Sequence, residues 1–251
     1  MITNGQVERT LRVLNNVYNS ILDESASYIL PQAITEVSAT YGDYKKAQER
    51  NPRAEVRETW GYTIYPYAPL RFKPTKNNGI DFIVDVYCDI QWRNDDLPVS
   101  QDIKIRAWST HRPTIYHDER DSPNIKAILD SAGRNPVGRV VSRLHFDKAN
   151  ESQAGPEYHM QFGGKPENDE LCWFPESVKI PRLEYKPMEL FLVCQLVAAN
   201  FYPDEYAEIK EKSEWLGTLR WSQQSLLLPY YQKCLTALQG DISLLDHMWM
   251  K

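Results

Sequence analysis

The chain has 251 residues, enough for one large domain, and its 42% hydrophobic and 25% charged residues exclude wholesale disorder. A formal net charge of −5 gives no basic footprint of the kind a duplex-DNA binder needs to displace counterions, so nucleic acid is not favoured as a partner, with a local basic patch left open. The first residues lack a basic start followed by an apolar run, and no segment reaches bilayer-spanning length, so a cytoplasmic protein without membrane spans is expected.

Taken in chain order, the first region is helical. Val7, Leu11, Leu14, Val17, Tyr18, Ile21 and Leu22 recur at helical spacing, with Thr3 and Asn4 as N-caps. A second helix is expected from Gln32 to about Lys46, entered through Pro31. The charged stretch from Glu49 to Arg57 contains Pro52 and reads as a connection.

From about residue 55 to 182 the chain reads as mainly β. Trp60, Tyr62 and Ile64 alternate ahead of a proline-rich edge or loop (Pro66, Pro69, Pro74), because proline cannot donate to a ladder. After an Asn77-Asn78-Gly79 turn, Ile80, Phe82, Val84, Val86, Cys88, Ile90 and Trp92 fall on one face. Asp81, Asp85, Tyr87, Asp89 and Gln91 fall on the other, the pattern of a strand with one wet side. Asn94 to Ser100 turns the chain, and Ile103, Ile105 and Ala107 carry the return strand with Lys104 and Arg106 facing away. A short helix is expected between Ser122-Pro123 and Gly133. Strands from Arg139 to Asp147 and Glu157 to Phe162 follow, joined by a polar loop.

The remainder, residues 186–251, reads as helical: Met188 to Asn200, Asp204 to about Leu219, and Ser222 to about Leu238, the last interrupted at Pro229. Helices, one antiparallel sheet, then helices make a single α+β domain. The aromatic residues of the C-terminal helices read as core, and the final stretch Leu244 to Met250 as core or as an apolar tail for a partner. Cys88, Cys172, Cys194 and Cys234 are scattered without a C-x-x-C pair and read as free buried thiols.

The first constellation lies in the strand from Arg139 to Asp147. Arg143, His145 and Asp147 share one face, while Leu144 and Phe146 point to the core. In the next strand Glu157, His159 and Gln161 share a face. A hairpin register with His145 opposite His159 sets Asp147 beside Glu157 and Arg143 beside Gln161. Two imidazoles, two carboxylates, a guanidinium and an amide can then bind an anion, hold a metal or move a proton. The plainer reading is an exposed polar hairpin face with one histidine stacked on the other.

The second constellation, Gly79-Ile80-Asp81-Phe82-Ile83 followed by Asp102-Ile103-Lys104, resembles the strand pair of PD-(D/E)xK nucleases. The resemblance implies Mg²⁺ held by Asp81 and Asp102, with Lys104 steadying the attacking water. Asp85 and Asp89 are equally well placed, however, and no upstream helical glutamate is identifiable, so the same residues also read as a wet face paired with Lys104 and Arg106. The chain has no Walker or Rossmann glycine pattern, no G-x-S-x-G elbow and no cysteine in a nucleophile setting.

A further series runs Arg143-x-x-Phe146-Asp147, Pro156-x-x-His159, Pro181-Arg182, Pro187 with Phe191, and Asn200-Phe201-Tyr202-Pro203. It resembles conserved prokaryotic proteins of unknown function found in mobile or phage-defence gene islands. The resemblance covers residues 143 to about 203, implies a bacterial protein working with genetically linked partners, and falls on Arg143, His159 and Arg182. The expected function is therefore a non-enzymatic or accessory subunit binding a protein or a small anionic ligand through Arg143, His145, Asp147, His159, Gln161 and Arg182, without cofactor or metal. The alternative is a Mg²⁺-dependent nuclease using Asp81, Asp102 and Lys104.

Overall fold

The N-terminal periodicity becomes helix α1, Asn4–Val17, closed at its start by Gln6, whose Oε1 accepts from Thr3 N–H at 3.2 Å and Thr3 Oγ at 3.0 Å. It stops earlier than expected, and Tyr18, Ile21 and Leu22 instead bury from the following turn, where Leu22 bridges Phe72. Helix α2, Ala26–Arg50, begins before Pro31 and carries that proline inside it. The computed structural model describes residues 2–50, 58–77, 80–93, 97–109, 139–149, 155–163, 182–240 and 249–250. The expected short helix after Ser122, Cys172 and most of the Leu244–Met250 stretch lie outside them.

The long alternating segment is a strand because alternation lets one side face a core. It is β4, Ile80–Trp92, and the sheet is built around it. On one edge it pairs in turn with β1 (Trp60–Ile64), β2 (Leu70–Arg71) and β3 (Thr75–Asn77). On the other it pairs with β5, Ser100–Ser109, which pairs with β6, Arg139–Lys148. After the short β7, Gly155–Pro156, come β8, Tyr158–Phe162, against β6, and β9, Leu183–Glu184, against β8. Every pairing among the described residues is antiparallel, as the sequence pattern predicts.

Cys88, Ile103, Phe146 and Met160 form one row across the sheet, and Val86, Ile105 and Leu144 the next. This apolar face joins Leu11, Leu14, Val37, Leu190, Phe191 and Val193 in a single core. Each aliphatic or aromatic side chain removed from water contributes about 1.5–3 kcal/mol. Strand β1 is an edge, and its outward backbone is satisfied by α2. Thr40 Oγ donates to Gly61 O at 3.0 Å and accepts from Gly61 N–H at 3.1 Å, while Glu36 accepts from Thr63 N–H at 3.1 Å. Trp60 stacks on its cross-strand partner Trp92 at 5.1 Å.

Past the sheet, α3 (Leu190–Phe201) is buried on most sides and capped by Glu189, which accepts from Phe191 and Leu192 N–H and from Ser222 Oγ. The expected helix from Asp204 to Leu219 divides into α4 (Pro203–Ile209) and α5 (Ser213–Ser222). Ile209 and Trp215 are both buried, and a spacing of six would place them about 120° apart around an unbroken helix, off a common stripe. Before α6 (Leu228–Gln239) the residues Gln223–Leu227 form a π turn, in which Leu228 N–H bonds the Gln223 carbonyl. This widened turn absorbs the clash and the missing donor of Pro229. Trp249–Met250, β10, pairs with β7. Cys88 and Cys194 are buried free thiols as expected, whereas Cys234 is partly exposed.

Two expectations follow. A Cβ at Gly61 would sit 2.0 Å from the Ile90 carbonyl oxygen, so Gly61→Ala is expected to cost about 3 kcal/mol in urea unfolding. Burial raises Glu189 from 4.5 to about 7, so its protonated form gives stability that is whole below pH 4.5 and lost as pH rises through 7. Glu189→Gln removes that dependence: its stability should stay flat from pH 4 to 8 while the parent's falls by about 3 kcal/mol, with a constant offset because the amide nitrogen cannot accept from Phe191 N–H, checked by unfolding across pH.

Candidate functional site

Opposite the core, antiparallel pairing lines up side chains from neighbouring strands. One row reads Asp89, Asp102, Asp147, His159 and Glu184 across β4, β5, β6, β8 and β9. The next reads Tyr87, Lys104, His145 and Gln161. The third reads Arg71, Asp85, Arg106 and Arg143. An acidic row therefore lies beside a basic one, with a further basic row beyond.

The structure keeps Arg143, His145, Asp147, His159 and Gln161 on one face, as the alternation requires, but corrects their pairing. His145 lies opposite Gln161 and Asp147 opposite His159, two residues from the expected register. An even slip leaves every side chain on its face and makes the two histidines diagonal neighbours. It also sets Asp147 across from an imidazole instead of Glu157, avoiding two carboxylates face to face. Glu157 pairs instead with Lys148 at 3.5 Å and Lys233 at 2.9 Å. Arg143 sits beside Gly163, whose N–H bonds its carbonyl at 2.9 Å. Arg182 precedes β9, close enough for its charge to bear on His159.

A second correction concerns solvation. The face is charged but largely closed: Asp85 is 1% exposed, His159 1%, Arg143 3% and Arg106 6%. Asp85 survives burial because Arg71 grips it with two hydrogen bonds, at 2.8 and 3.0 Å. Arg106 lies across the Tyr87 ring at 4.5 Å and the Trp108 ring at 5.1 Å. The expected wet face at Asp81, Asp85 and Asp89 is therefore half-covered at its ends and buried at its centre. Exposed hairpin faces and buried charged ladders share one alternation, so the sequence pattern does not separate them.

At the acidic end the side chains converge. His145 Nε2 lies 2.8 Å from both Asp102 Oδ1 and Asp147 Oδ1. Lys104 Nζ reaches Asp102 Oδ2 at 3.1 Å, and His159 Nε2 faces Asp147 Oδ2 at 3.8 Å. Burial works against the charged form of His145, yet hydrogen bonds and charge from Asp102 and Asp147 outweigh it and raise its pKa. Burial likewise opposes ionisation of Asp102, but His145 and then Lys104 hold it below the usual carboxylate range. For His159 burial dominates and the pKa falls, against the pull of Asp147 and the Pro156 carbonyl.

The nuclease constellation does not assemble. Asp102 and Lys104 sit together, but Asp102 pairs with Asp89, eight residues along β4 from Asp81. At about 3.4 Å per residue that is roughly 27 Å, far beyond any shared cation. A D-x-K match fixes spacing along one strand and says nothing about which end of the neighbouring strand it meets. Sequence reading also missed a separate surface groove of about 480 Å³ lined by Arg93, Lys148, Glu157 and Lys233. Glu157 was expected beside Asp147, whereas Lys148 lies past the expected end of its strand and Lys233 arrives from α6 with no sequence signal.

No family model matches the chain, and no curated protein or solved structure is similar to it. Among the described residues no helix is long and apolar enough to cross a membrane. Replacing Arg71 by Met should leave Asp85 as a buried charge without its bidentate partner and cost about 3 kcal/mol, measured by urea unfolding at pH 7.

Proposed function

We propose that this chain is a non-enzymatic, cytoplasmic accessory subunit of a bacterial multi-protein system of antiviral defence, binding a small anionic ligand or an anionic group of a protein partner. The observation that carries this reading is the gathering of Lys104, His145, Gln161 and Arg182 beside the accessible end of the charged sheet face. Donors held by a rigid sheet suit recognition of an anion, since little ordering entropy is lost on binding. The bacterial and defence setting rests on the resemblance of residues 143–203 to proteins of such gene islands.

The nuclease set is divided between opposite ends of β4, and burial raises the Cys88 and Cys194 thiols out of the nucleophilic range.

Gln161 and Arg182 are half-buried at the rim of the face, so their removal tests recognition with little effect on folding. The double variant Gln161→Ala/Arg182→Ala should melt close to the parent, because such changes usually shift stability by about half a kcal/mol. It should lose at least tenfold in co-purification of the product of the adjacent gene and in protection of host cells against phage. Undiminished co-purification and protection, with the variant folded, would overturn the reading.

A further inference from the structure

The acidic end of the face has a hydrogen-bonding problem that protons alone do not solve. His145 Nε2 lies 2.8 Å from Asp102 Oδ1 and 2.8 Å from Asp147 Oδ1, and one ring nitrogen has one proton to offer. His159 is more specific. Its Nδ1 lies 3.2 Å from the Pro156 carbonyl, which can only accept, so Nδ1 carries the proton of the neutral ring. Nε2 is then a bare lone pair, buried with the side chain 1% exposed, without a hydrogen-bond partner, and aimed at Asp147 Oδ2 at 3.8 Å. Two acceptors face each other inside the protein.

We propose that Asp102, His145, Asp147 and His159 form a binding site for one divalent transition-metal ion of the Zn²⁺, Mn²⁺ or Fe²⁺ class. One ligand atom each from Asp102, His145 and Asp147 falls within 4.8 Å of the others. With metal–ligand bonds of about 2.1 Å, adjacent ligand atoms lie roughly 3.0–3.4 Å apart, close to the 2.8 Å separations of His145 Nε2 from Asp102 and Asp147, while His159 stands outside this trio and joins it by swinging in from its 3.8 Å contact with Asp147 Oδ2. The His159 Nδ1–H to carbonyl bond is the outer contact that fixes the tautomer and aims a ligating imidazole. Two imidazoles with two carboxylates select a borderline ion over Mg²⁺ or Ca²⁺, which favour all-oxygen shells. Asp102, 47% exposed on its side chain, supplies the route from solvent, and Lys104 stands beside it. A metal there turns the acidic row from a repulsive surface into an anchor for an anion. In this respect the site deepens the binding reading above and shares its face.

The test uses the purified full chain, stripped with a chelator and dialysed. Titration with Zn²⁺ by calorimetry, and with Co²⁺ by visible absorption, should show one equivalent bound with Kd of micromolar or tighter, while millimolar Mg²⁺ gives no signal. Asp102→Asn changes the most exposed ligand, should fold as the parent does, and should weaken Zn²⁺ at least tenfold. His159→Gln should do the same. A folded parent that takes up neither Zn²⁺ nor Co²⁺ would sink the site, as would Asp102→Asn binding as tightly as the parent. Metal uptake is read on the isolated chain and recognition on Gln161 and Arg182, so the failure of one is distinguishable from the failure of the other.

Discussion

Alternate side chains of β4, β5 and β6 must point to opposite sides of one sheet, and most of what is unusual in this protein follows from that constraint. On one side the row Cys88, Ile103, Phe146 and Met160 can join a core with α1, α2 and α3. The other side then receives the alternate residues of the same strands, among them aspartates, arginines, a lysine and histidines. Had that side been open to water, the arrangement would carry little energetic weight, since exposed pairs contribute at most about 1 kcal/mol. Burial of Asp85, Arg106 and Arg143 changes the scale, because a desolvated charge must be matched or it costs several kcal/mol.

Matching is achieved in different ways along the face. At the β2 end, Arg71 neutralises Asp85 with a two-pronged grip, and Arg106 spreads its charge over Tyr87 and Trp108. At the other end, carboxylates outnumber what one lysine and one shared imidazole proton can satisfy. The buried His159 Nε2 that faces Asp147 without a hydrogen-bond partner locates the candidate site. A network left short of positive charge is costly unless something else supplies it. The same logic separates Glu189 from this cluster. Glu189 is buried alone, accepts backbone and hydroxyl hydrogen bonds at the head of α3, and answers burial by holding a proton.

Much of this was legible in the sequence where a single period decides the outcome. Period-2 alternation from Ile80 to Trp92 marked the strand and both of its faces, and Thr3 marked the start of α1. Pro229 marked an interruption, found as a π turn. Errors arose where two signals compete: Pro31 reads as a helix entrance, yet α2 runs through it, and the apolar positions between Asp204 and Leu219 suit one helix until Ile209 and Trp215 must both bury.

The sequence by itself determined which face each residue of β4, β5, β6 and β8 occupies, because that depends only on parity along the strand. Tertiary structure decided which residues meet and whether water reaches them. An even register slip changes every partner while leaving parity untouched, so His145 could face His159 or Gln161 with the same pattern. Only the assembled sheet placed Asp147 before His159 and Asp81 far from Asp102. Burial of the charged face likewise needs whatever packs over it, and alternation along one strand carries no record of its neighbours above.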